Sequence, residues 1–165
     1  MGGQSEQICE IIIHTKNLFK RILELSSQAT DFSVRTEALV CLYNICENHN
    51  SKYLPLVISY HPESVFIDVL QNYQNHDPYT LKISISFLSL ICEKFGEQAV
   101  QSIVQTGVAE MIENVIYKFS ENQELCAMVN SLLETYIYKV KMDEDTIELN
   151  TAAAIEKPAT MSFNI

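Results

Sequence analysis

The chain repeats itself at a fixed interval, and that interval limits what it can fold into. Asp31-Phe-Ser-Val-Arg-Thr-Glu-Ala-Leu-Val-Cys-Leu-Tyr-Asn-Ile-Cys-Glu47 aligns with Asp77-Pro-Tyr-Thr-Leu-Lys-Ile-Ser-Ile-Ser-Phe-Leu-Ser-Leu-Ile-Cys-Glu93. Subtracting 31 from 77 gives a shift of 46, which pairs Leu42 with Leu88, Ile45 with Ile91, Cys46 with Cys92 and Glu47 with Glu93. The trios Ile8/Ile11/Ile12, Leu54/Val57/Ile58 and Val100/Ile103/Val104 keep the same shift. Each trio has the i, i+3, i+4 spacing of one helix face. Leu18/Phe19/Ile22/Leu23 recurs as Val65/Phe66/Val69/Leu70 and as Met111/Ile112/Val115/Ile116, with shifts of 47 and 46, so one loop absorbs a residue. A period of roughly 40–47 residues belongs to helical solenoid units, which cannot bury their apolar faces alone and stack to share a core.

Each unit reads as a short, a medium and a long helix. The short helices are expected near 5–13, 52–59 and 97–105, and the medium ones near 16–27, 63–74 and 108–119. The long ones fall near 32–48, 78–95 and 121–140. With only four Gly and four Pro in 165 residues, long helices are favoured over tight turns. Breaks fall at Ser26-Ser27, His61-Pro62, Asn75-His76-Asp77-Pro78 and Thr106-Gly107. Asp77 before Pro78 is a helix start, since the carboxylate caps free N–H groups and Pro suits the first turn. Lys139 and Lys141 suit the negative end of the last helix dipole. The expected fold is all-α, with repeats over 5–50, 51–96 and 97–141 in one domain spanning 1–141. Residues 142–165 lose the pattern and read as an extended or disordered tail whose Ile147, Leu149, Ile155, Met161 and Phe163 could dock on a surface.

Composition excludes several function classes. A net charge of −10 disfavours nucleic acid and anionic membrane surfaces, and points to basic or neutral protein partners. The longest uncharged apolar stretch, Ile83 to Cys92, is about half the roughly 20 residues that a transmembrane helix needs. Cys9, Cys41, Cys46, Cys92 and Cys126 are an odd set in helix-like surroundings, which reads as free thiols in a reducing, intracellular compartment rather than a disulfide framework. Cys46-x-x-His49 lacks a second pair to complete a zinc site, so no metal is expected. Cys92 or Cys126 with His14, His61 or His76 could form a thiol hydrolase, but none sits beside a Gly-rich turn that would expose a nucleophile. Neither catalysis nor a cofactor is expected.

Two segments carry a family resemblance: Gly107-Val-Ala-Glu-Met-Ile-Glu-Asn-Val-Ile and Glu37-Ala-Leu-Val-Cys-Leu-Tyr-Asn-Ile-Cys. With the short–medium–long order, they resemble the second and third helices of the armadillo repeat family, HEAT repeats being the near alternative. The resemblance covers residues 5–141 and implies a right-handed α-solenoid of three three-helix repeats. It further implies that the third helices line a concave groove in which Asn side chains hold the backbone of an extended peptide. Asn44 matches that position in the first unit; Leu90 and Glu134 occupy it in the second and third. The family's groove Trp is absent, with Val40, Ser86 and Asn130 in its places, which argues against capture of basic peptides in the manner of nuclear import.

Glu47 and Glu93 recur at one place and Glu134 extends the row, giving either an acidic track for Lys- or Arg-bearing segments or a solvated face. Tyr136 and Tyr138 point to different sides of the last helix and are candidate contact residues. The protein-binding candidates are therefore Asn44, Glu47, Ser86, Glu93, Asn130, Glu134, Tyr136 and Tyr138. Neither end helix, one holding Ile8, Ile11, Ile12 and Ile13 and the other Leu132, Leu133, Tyr136, Ile137 and Val140, resembles a polar cap, so an end or the tail is expected to meet another chain. The function expected is a non-catalytic scaffold subunit of a larger protein complex, cytoskeletal or ciliary by analogy of fold. The alternative is a regulatory adaptor whose groove takes an extended peptide, with the tail as competitor; a thiol-dependent enzyme is the remaining class.

Overall fold

A computed structural model describes residues 2–47 and 54–139, and every described element is helical. The helices are α1 (Gly2–His14), α2 (Leu18–Gln28), α3 (Phe32–Glu47), α4 (Leu54–Ile58), α5 (Glu63–Gln71), α6 (Pro78–Phe95), α7 (Glu97–Gln105), α8 (Val108–Lys118) and α9 (Gln123–Leu132). His49, Val140, Lys141, the start of the second short helix and the tail expected over 142–165 lie outside the described residues.

Local chemistry sets the helix ends. The Asp77 carboxylate accepts from the Tyr79 N–H at 2.8 Å and from the Thr80 N–H and hydroxyl at 3.0 Å, with Pro78 in the first turn of α6. Asp31, one repeat earlier, accepts from the Ser33 N–H at 2.8 Å and its hydroxyl at 2.6 Å. Partial burial pushes the Asp77 carboxyl up, but the bonds from Thr80 and Tyr79 outweigh it and hold it below the usual carboxylate range. A lowered folded pKa means that this stabilisation is present above the unfolded value and is lost as pH falls through the folded one. Asp77→Ala is expected to cost about 1 kcal/mol, the usual worth of an N-cap. Thermal melting at pH 7 checks it, and the difference from the native chain should vanish in strong acid. Gly96 closes α6 at φ 63°, ψ −147°, backbone that side chains with a Cβ rarely adopt.

Packing follows two rows. The long helices are neighbours in the order α3, α6, α9, and the medium helices in the order α2, α5, α8. Within each unit α2 packs on α3, α5 on α6 and α8 on α9. Leu39, Leu42, Phe66, Leu70, Leu81, Ile85, Phe87, Leu88, Ile112 and Leu125 are fully buried in one continuous core. Polar ties also cross between units. The Arg35 guanidinium donates to Asp68 Oδ2 at 2.8 Å while its Nε donates to the Ser26 carbonyl at 2.9 Å. The Thr36 and Thr80 hydroxyls meet at 3.0 Å, and Lys118 Nζ donates to the Gln74 carbonyl at 2.7 Å.

Two expectations are corrected. The medium helix expected to reach 74 stops at Gln71, and the chain tightens into a 3₁₀ turn over Tyr73–Asn75 before the Asp77 cap. The last long helix is not regular α-helix throughout: Leu133–Ile137 form a π turn. A change of register among the buried residues accompanies it, Leu132 and Leu133 both being buried. In α6 the buried Leu81, Ile85, Leu88 and Cys92 are separated by 4, 3 and 4 residues, whereas Leu125, Val129, Leu132 and Ile137 are separated by 4, 3 and 5. The π turn absorbs that extra residue and keeps Ile137 on the core. Among the described residues, Leu132, Leu133 and Ile137 are buried, whereas Gln123, Asn130 and Glu134, and Ile8 and Ile11 of α1, are exposed.

Candidate functional site

The three long helices do not close completely over one another, and the space between them is a groove of about 600 Å³. α3 contributes Tyr43 and Glu47. α6 runs along the middle and supplies Ser86, Ser89, Leu90, Glu93 and Lys94. α9 supplies Glu124, Ala127, Met128 and Ser131. Each unit thus places one carboxylate on the groove: Glu47, Glu93 and Glu124.

The Tyr43 hydroxyl donates to Glu47 Oε1 at 2.7 Å, which orients the carboxylate. Burial and then that neighbouring carboxylate push the Tyr43 hydroxyl up to about 12, so it stays a donor at any physiological pH. Glu124 pairs with the half-buried Lys82 ammonium, tying α6 to α9 at the groove edge. Ser86, Ser89 and Ser131 offer hydroxyls that both donate and accept, as a peptide backbone requires, while Leu90 and Met128 give an apolar floor. The arrangement can hold an extended chain through its backbone and attract cationic side chains.

Of the eight candidates read from the sequence, Glu47, Ser86 and Glu93 come together in this groove. Asn44, Asn130 and Glu134 are exposed but stand outside its lining. Glu134 stands outside the groove lining; Glu124, 46 residues beyond Pro78 and at the start of α9, supplies the third carboxylate. Tyr136 is half-buried near Glu93 and Cys92, whose negative forms, after burial, raise its hydroxyl. Tyr138 points to the other side and donates to Glu113 Oε1 on α8 at 2.9 Å, so it takes no part in the groove. Sequence reasoning missed Glu124, Tyr43 and Ser89. Glu124 opens a helix rather than ending one, so a search along the C-terminal ends of the long helices passes over it.

Cys9, Cys46 and Cys92 are buried, and Cys41 and Cys126 are half-buried. Burial pushes the Cys46 thiol up to about 12 and Cys92 to about 11. Both are protonated at neutral pH, the opposite of what a nucleophile needs. Among the described residues no three His, Cys, Asp or Glu side chains are grouped to hold a metal ion, and no helix is long and apolar enough to cross a membrane.

Comparison with known proteins returns no family model, no curated protein and no solved structure that matches the chain. The armadillo-like reading therefore rests on the repeat within this chain and on the helix neighbours given above.

Proposed function

We propose that the chain is a non-catalytic protein-interaction module: three armadillo-like units stacked as a right-handed α-solenoid, serving as a subunit of a larger protein assembly. Its groove takes an extended protein segment that carries Lys or Arg. The observation supporting this reading is that α3, α6 and α9, one helix per unit, each place a carboxylate on a single groove whose floor also offers hydroxyls and apolar side chains. No one residue does the work; the units do it jointly.

Magnitudes set what the charges contribute. Solvent-exposed ion pairs are worth roughly 0–1 kcal/mol each. The three carboxylates therefore set on-rate and choice of partner and together add on the order of 1–2 kcal/mol to the affinity, the rest of which comes from burying the segment against Leu90 and Met128. Lys94 inside the groove sharpens the choice by repelling a cation placed at that end. The chain's own segment 142–165 fits the groove poorly as a competitor, since it carries Asp143, Glu144, Asp145, Glu148 and Glu156 against Lys157 alone. The raised Cys46 and Cys92 thiols favour binding over thiol chemistry.

The test uses the full chain and two fluorescent peptides of equal length, one with alternating Lys or Arg and small apolar residues, the other with Glu in the charged places. Anisotropy should report binding of the first alone, weakening as salt rises. The triple variant Glu47→Gln, Glu93→Gln, Glu124→Gln should lose roughly tenfold or more in affinity with an unchanged helical spectrum. Equal binding of both peptides, or an affinity indifferent to the triple substitution, contradicts the proposal.

A further inference from the structure

The carboxylates of the groove do not stand in one row, and two contacts between the long helices fix how far apart they are. The Thr36 and Thr80 hydroxyls meet across α3 and α6, so these residues stand at one level along the helix axes. Glu47 lies eleven residues after Thr36 and is therefore level with Ile91 of α6. On the other flank, the ion pair with Lys82 sets Glu124 near the level of Lys82, nine residues before Ile91. At about 1.5 Å per residue, the levels of Glu47 and Glu124 differ by roughly 14 Å. α6 packs between α3 and α9, so two interaxial distances of about 8–10 Å separate the outer helices. The line from Glu47 to Glu124 thus crosses α6 obliquely and is roughly 20–25 Å long.

We infer, building on the proposed function, that the groove selects a segment whose Lys or Arg residues stand about seven apart, with small or apolar residues between them. An extended chain advances about 3.3 Å per residue, so about seven residues reach from Glu47 to Glu124. Both end carboxylates are held in place and open to solvent. The Tyr43 hydroxyl orients the exposed Glu47, and Glu124 pairs with Lys82 while its side chain stays 73% exposed. Over α6 the chemistry differs. Lys94 offsets the neighbouring Glu93, so a cation gains more at the two outer carboxylates than at the middle of the groove. Between the ends, Ser86 offers a hydroxyl to the segment's backbone, and Leu90 and Met128 receive apolar side chains. Recognition by Glu47 and Glu93 alone would span only one interaxial distance and favour cations about three residues apart. Spacing therefore separates the two arrangements.

The test uses the full chain and four fluorescent peptides of one length and composition, each with two Lys in a background of Ser, Ala and Leu. The Lys residues stand three, five, seven or nine apart. Anisotropy should show the tightest binding at seven, by roughly threefold or more over three. Glu124→Gln should remove that advantage while changing the affinity of the three-spaced peptide by no more than about twofold. Retained binding of the three-spaced peptide shows that the variant is folded. An affinity indifferent to spacing, tightest binding at any other spacing, or an advantage that survives Glu124→Gln overturns the inference and leaves the groove reading standing. Binding of none of the four peptides overturns both.

Discussion

Phe87→Ala is expected to lower the stability of the fold by about 3–5 kcal/mol, a large share of the roughly 5–15 kcal/mol that holds a domain together. The Phe87 ring is fully buried and stacks on Phe66 with ring centroids 3.8 Å apart and 11° between planes. This pair joins α5 to α6, on which α2, α3, α8 and α9 pack. Denaturation in urea should show the midpoint falling, with the slope unchanged if the transition stays two-state. Phe87→Leu should cost much less because most of the volume is kept. Tyr117→Ala, on the solvent side of α8, should stay within about 0.5 kcal/mol.

Deleting one residue should have opposite consequences in two equivalent helices. Removing Leu90 from α6 turns everything after it by about 100° about the helix axis, which takes Ile91 and Cys92 off the core. That loss is expected to reach at least the ~2–5 kcal/mol of one large core truncation. Removing Glu134, inside the π turn, should be tolerated far better: Leu132 and Ile137 then stand four apart, the spacing of Leu88 and Cys92 in regular α-helix. Thermal melts of the two deletion variants check the contrast. Equal damage from both would mean that the extra residue is not what produces the π turn.

Much of the helical plan was legible because it is written twice or three times. The Asp31 and Asp77 caps, the buried Leu42/Leu88 and Ile45/Ile91 pairs, and the break at Gly107 all follow from short-range chemistry plus the 46-residue shift. The end of α5 was not legible, since Gln71-Asn72-Tyr73 contains neither Gly nor Pro. The π turn was hidden because Leu132 and Leu133 are both apolar, so either could have been counted as the core residue of a regular helix. Of the groove, Glu47, Ser86 and Glu93 could be read from register alone. Glu124 could not, because its place depends on how α9 leans on α6, which the Lys82 pair helps to fix. A pattern of apolar letters is blind to burial: Leu132 and Ile11 look alike in sequence, and only Leu132 is covered.

Backbone amide shifts in the full chain, titrated with the cationic peptide, report whether the three long helices act as one recognition surface. Perturbations should be confined to the groove residues of all three, around Glu47 on α3, Ser86 to Glu93 on α6, and Glu124 to Ser131 on α9. Perturbations restricted to one unit, or centred on the opposite side around Tyr117 of α8, would contradict it.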